Sequence, residues 1–92
     1  MIVRISGEGQ FRLPDGDGAR LNELDNSAVA AVDEGNEEKF HSLFQEMLSL
    51  VANDGEAVAE DELIESDVIL PPRDVSFEEA AGEFTGDGLI PD

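Results

Sequence analysis

Apolar positions recur along this chain with two different periods. Between Asn36 and Asp54, the residues Phe40, Leu43, Phe44, Met47, Leu48 and Val51 follow the three-then-four spacing of an α-helix. That spacing places six large side chains on one helical face. Asn36 is a suitable N-cap, because its side-chain oxygen accepts an orphan backbone N–H. Glu37 and Glu38 follow it, in the turn where the helix dipole favours negative charge. Gly55 is expected to end the helix by adopting a positive φ. The stripe reads as the main core face. A free groove-binding face would need a second apolar surface to hold the fold, in a chain with only five aromatic residues.

Leu21, Leu24, Ala28 and Val32 repeat at the same period and predict an earlier helix from Ala19 to Glu34. Gly35-Asn36 both ends it and opens the next. So short a connection makes the two helices antiparallel neighbours.

A period of two marks the N-terminus. In Met1–Ile5, Met1, Val3 and Ile5 share one face and Ile2 and Arg4 the other. Gln10–Leu13 alternates likewise, and Ser6–Gly9 supplies turn residues, so the pair reads as a β-hairpin. Pro14-Asp15-Gly16-Asp17-Gly18 reads as a loop. Its acids suggest a calcium loop, but position 12 of such a loop must be glutamate and here is Asn26. Glu56–Ala59 is a candidate edge strand, and Asp61–Ile64 a candidate single turn. Val68–Leu70 is a short extended segment ended by Pro71-Pro72, which forbid a central strand. Ser76-Phe77-Glu78-Glu79 is a capping box, with Val75 and Ala80 as its hydrophobic staple. It predicts a third helix from Phe77 to Phe84, ended by Gly86 or Gly88. Leu89-Ile90-Pro91 is an apolar tail, tucked or frayed.

These elements predict a single domain over residues 1–92 of the α+β class: a small antiparallel hairpin or sheet packed on a helical hairpin, with a short C-terminal helix. A third strand from 57–58 or 68–70 is expected to extend the sheet.

Charge changes the picture most. Twenty-three acids face five bases, a net charge of −18. That balance opposes binding of nucleic acid or an anionic membrane through charge. The apolar content of 40% argues against wholesale disorder. A lysine-poor, acidic surface suits a salt-rich cytoplasm, where screening relieves self-repulsion. Absence of cysteine excludes a disulfide framework and a thiolate metal site. No run is long enough to insert in a membrane, and Arg4 comes too soon for a signal peptide. The chain reads as cytoplasmic.

Catalytic chemistry is hard to find. His41 is the sole histidine, beside Phe40 on a helix flank, and lacks a Ser–His–Asp order or a second histidine for a metal. It reads as a solvated surface residue. Gly7-Glu8-Gly9 has neither the third glycine nor the following helix of a dinucleotide loop. Carboxylates are too many for any pairing to be specific. No enzyme, cofactor or metal site is expected.

Met1–Ile5, Gly7-Glu-Gly-Gln-Phe11, Leu21-Asn-Glu-Leu-Asp25, the run Asp61-Glu-Leu-Ile-Glu-Ser-Asp-Val-Ile-Leu-Pro-Pro72 and Gly88-Leu-Ile-Pro91 form an ordered set. In that set the chain resembles the PspA-associated protein (PspAA) family, across nearly its whole length. The resemblance implies an accessory role in the phage-shock envelope-stress response, beside a PspA/Vipp-type coiled-coil protein, with membrane contact only through that partner. The loop 14–18 and the acidity depart from the family pattern. Two other readings compete: an acidic regulator that occupies a basic surface, and a small-ligand or metal-binding domain. Acids spread along the chain favour a solvating surface over a mimic of phosphate spacing. The candidate partner-binding residues are Ile2, Arg4, Phe11 and Arg12, on the least acidic segment. Its open strand edges are expected to accept another chain.

Overall fold

A computed structural model describes residues 1–59, 61, 62 and 64–84. The chain runs β1 (Ile2–Ile5), β2 (Gly9–Arg12), α1 (Asp15–Asp33), α2 (Glu37–Asp54), β3 (Glu56–Ala57), β4 (Val68–Leu70) and α3 (Phe77–Glu83). It is α+β: a four-stranded mixed sheet, a packed helical hairpin and a short third helix.

The sheet order is β3-β2-β1-β4. β1 and β2 form the expected antiparallel hairpin. Its turn is closed by the Glu8 N–H donating to the Ile5 carbonyl at 2.9 Å, and Gly7 supplies a φ of 85°. Both candidate third strands form. β3 pairs antiparallel with β2, and β4 pairs parallel with β1. The hairpin therefore has no open edges. That corrects the expectation of strand addition there, because residues distant in sequence already occupy both sides. Pro71 and Pro72 leave β4 as an edge strand.

Residues 14–18 are not a loop. The Pro14 carbonyl accepts the N–H groups of Asp17 and Gly18, both at 3.0 Å, so α1 begins at Asp15. Asp15 and Asp17 stand in the first turn, where the dipole favours them. Two glycines cost roughly 1 kcal/mol each relative to alanine in a helix. Extension of the helix and burial of Gly18 beneath Met1 outweigh that cost.

The end of α1 is a Schellman motif. Gly35, at φ 70°, donates to Val32, and Asn36 donates to Ala31. The Asn36 side chain then accepts the Lys39 N–H at 3.1 Å and caps α2. Gly55 ends α2 differently from expectation. Its φ is −82°, and the glycine is needed for space. An added Cβ would collide with the Val51 carbonyl and stand 3.1 Å from the Phe11 Cβ. Ser76 caps α3 as predicted, accepting from the Glu79 N–H at 3.2 Å, and that helix ends at Glu83 with Phe84 as its C-cap. The Gly86/Gly88 stop and the Leu89–Pro91 tail lie outside the described residues, as does part of the Asp61–Ile64 turn.

The core lies between the inner sheet face and the helices. Val3, Ile5, Val68 and Leu70 meet Leu21, Leu24, Phe44, Met47, Leu48 and Val51 in one buried cluster. Phe40 stacks on Phe44 and meets Phe77 and Phe84 edge-on, with centroids 5.1–5.8 Å apart. This aromatic knot ties α3 to α2.

Candidate interaction surface

The outer sheet face gathers most of the residues singled out from sequence. The registers Ile2↔Arg12 and Arg4↔Gln10 place these four side chains together, away from the core. Ile69 joins them from β4, directly across from Arg4. Phe11 does not join. It lies opposite Val3 and is partly buried against the core. Adjacent strand residues point to opposite faces, so Phe11 and Arg12 had to separate.

β3 and β4 occupy opposite edges, so the chain between them must cross the sheet. It crosses the outer face, and Gln10 pins it there. The Gln10 Nε2 donates to the Ile64 carbonyl and to the Ser66 Oγ, both at 2.8 Å. Gln10 is buried as a result. Burial of an amide without such bonds would cost about 1–3 kcal/mol. Arg12 meets Glu62 at 2.9 Å over the same half of the face. At the other side, the Asp67 carboxylate accepts the Ile2 N–H at 2.7 Å, and the Asp67 N–H returns a bond to the Ile2 carbonyl at 2.8 Å. Between the crossing chain and the hairpin turn lies a cleft of about 480 Å³, lined by Arg4, Glu8, Gln10, Glu62 and Ile64 among others.

Most cations are already engaged. Arg73 grips Glu8 through two N–H groups at 2.9 and 3.2 Å. That carboxylate, through its hydrogen bonds and its charge, holds the guanidinium above its usual pKa. Arg20 reaches Glu23 at 3.3 Å and Glu46 at 3.8 Å, and Lys39 reaches Glu34 at 3.8 Å. Exposed pairs of this kind contribute only about 0–1 kcal/mol each. Arg4 alone among the lysines and arginines has no carboxylate partner among the described residues.

Elsewhere the chemistry is sparse. His41 stands 3.7 Å from Glu37 and edge-on to Phe40, on the flank of α2. No group of three metal-ligating side chains occurs among the described residues. Asp25 is fully buried on α1 and is a partnered carboxylate. Sequence reasoning missed it, although its fit in the helical period beside Leu21 and Ala28 was a usable signal. Asp17 and Asp54 approach where α1 begins and α2 ends. Desolvation, then the charge and hydrogen bond of Asp54, raise the Asp17 pKa. No helix among the described residues is long and apolar enough to cross a membrane.

The fold and its outer face define a small α+β domain with a mixed sheet backed by a helical hairpin. The chain belongs to the PspA-associated protein family, whose model matches residues 1–92, its whole length. Membership ties it to PspA, for whose association the family is named. No curated protein and no solved structure matches the chain.

Proposed function

We propose that this chain is a non-enzymatic accessory module of a membrane-stress system that acts by direct contact with a PspA/Vipp-type coiled-coil protein. The observation that carries the reading is the family match over all 92 residues. The structure adds support, since Gln10 and Arg12 are bonded to the crossing chain while Arg4 and Ile69 stand exposed on the same outer face. The protein works in the cytoplasm and reaches the membrane only through its partner. Its acidic shell keeps it soluble in a salt-rich interior. The contact lies on the outer sheet face and uses Ile2, Arg4 and Arg12, while Phe11 serves packing.

The test is co-elution of the purified chain with the purified PspA-type protein of the same organism, with and without molar KCl. A complex of fixed stoichiometry is expected. Replacing Ile2→Asp together with Arg12→Glu should abolish it and leave the circular dichroism spectrum unchanged. Separate elution of the two unaltered proteins at every salt concentration would reject the reading.

A further inference from the structure

Resting on that reading, we infer that the partner docks as an amphipathic helix along the β1/β4 half of the outer sheet face, anchored by Ile69 and Arg4. Three observations converge. First, Ile69 is the exposed large hydrophobic residue of the described chain, 57% accessible. Strand propensity accounts for an isoleucine in β4, but not for its neighbour. That neighbour, in register across β1, is Arg4, the cation that no described carboxylate engages.

Second, the crossing chain divides the face. It covers Gln10 on β2 and engages Arg12, which stays half-exposed, and leaves Arg4 and Ile69 exposed with Ile2 half-covered beside them. Two strands spaced about 4.8 Å apart make an uncovered strip close to 10 Å wide, the diameter of an α-helix. A strand is a poorer occupant. The outer edge of β4 is three residues long and runs into Pro71-Pro72, which lack N–H groups.

Third, charge dictates what the helix carries. Glu8, Glu62 and Asp67 surround the strip in a chain of net charge −18. The net charge disfavours an acidic helix, and Arg4 is the cation on the strip that no described carboxylate engages, so a carboxylate is favoured opposite Arg4. The complementary element therefore has an apolar stripe over Ile69 and Ile2, one carboxylate opposite Arg4, and lysine or arginine on its flanks. Apolar burial supplies most of the affinity, and the Arg4 pair fixes register.

The experiment measures binding of the purified PspA-type protein to the full chain by calorimetry, alongside melts of every variant. Ile69→Asp should weaken binding by about tenfold or more, the scale of losing one central apolar anchor. Ile69→Val, which keeps the branched apolar contact, should bind nearly as the parent. Arg4→Glu should weaken binding, and a carboxylate-to-lysine change in the partner helix should restore it. Both residues are exposed, so all variants should melt as the parent does. If the parent binds and these variants bind equally well, the anchor is wrong while the accessory role stands. Failure of the parent to bind overturns both. Self-association of the parent that Ile69→Asp abolishes would show that a second copy occupies the strip, and would overturn the helix.

Discussion

The helical hairpin and the sheet are held by contacts of opposite range. In the hairpin, the decisive bonds are local: Asn36 caps a residue three positions away, and Gly35 closes onto Val32. In the sheet, Ile2 meets Asp67, Gln10 meets Ile64 and Arg12 meets Glu62, at separations of 65, 54 and 50 residues. Each of these closes a long loop before any bond is gained. Exposed pairs of such range, Arg12–Glu62 among them, hold the outer face closed but contribute little individually. The hairpin thus behaves as the stable half, and the crossing chain as the part that opens first.

The strongest way to break this contrast is at the aromatic knot. Phe40→Ala should cost about 3–5 kcal/mol, the usual penalty for deleting a buried aromatic ring. Denaturant unfolding followed by circular dichroism measures it. An unchanged midpoint would show that the α2–α3 packing does not carry the fold.

Gln10→Ala should cost about 1–3 kcal/mol, because it strands polar groups under the crossing chain. Hydrogen exchange sharpens the comparison: protection at the Asp67 N–H should fall while amides within α2 keep theirs. A uniform loss across both regions would show that they open together.

Gly16→Ala should stabilise the fold by about 0.4–1 kcal/mol. Gly16 sits in a helical turn, and an added Cβ meets nothing within 4 Å. Destabilisation would return residues 14–18 to the status of a loop.

The smallest expected effect concerns Asp17. Its folded-state pKa is raised, so the folded chain holds that proton more tightly than the unfolded chain does. Ionisation of Asp17 therefore opposes folding, and that penalty is relieved as pH falls through its raised pKa. Asp17→Asn should remove the penalty at neutral pH and flatten this part of the stability profile between the ordinary and the raised pKa. Parallel profiles for variant and parent would show that Asp54 does not oppose Asp17.

What could be read from sequence follows the same division. The stripe from Phe40 to Val51, the Asn36 cap and the Ser76 box are local patterns, and each stands where periodicity and capping chemistry put it. The start of α1 was hidden because Gly16 and Gly18 mimic a loop, while the carbonyl of Pro14 supplies a helical start that composition does not reveal. β3 and β4 were legible as short extended pieces. Their partners were not, since pairing over more than forty residues leaves no local mark. At the candidate surface, alternation identified Ile2, Arg4 and Arg12 as neighbours. Ile69 became one only through the parallel register of β4 with β1, and Gln10 gained its role only from the chain that crosses it.

The turn at Gly35-Asn36 leaves no slack for insertion. The Asn36 N–H finishes α1, and its side chain starts α2. One residue added between the helices would rotate α2 by about 100° around its axis, the angle of a single helical step. Phe40, Phe44 and Val51 would swing out of the core together. Length variation among related chains should therefore be forbidden at this joint, and should collect in the crossing connection, whose described residues contribute no side chain to the buried core cluster.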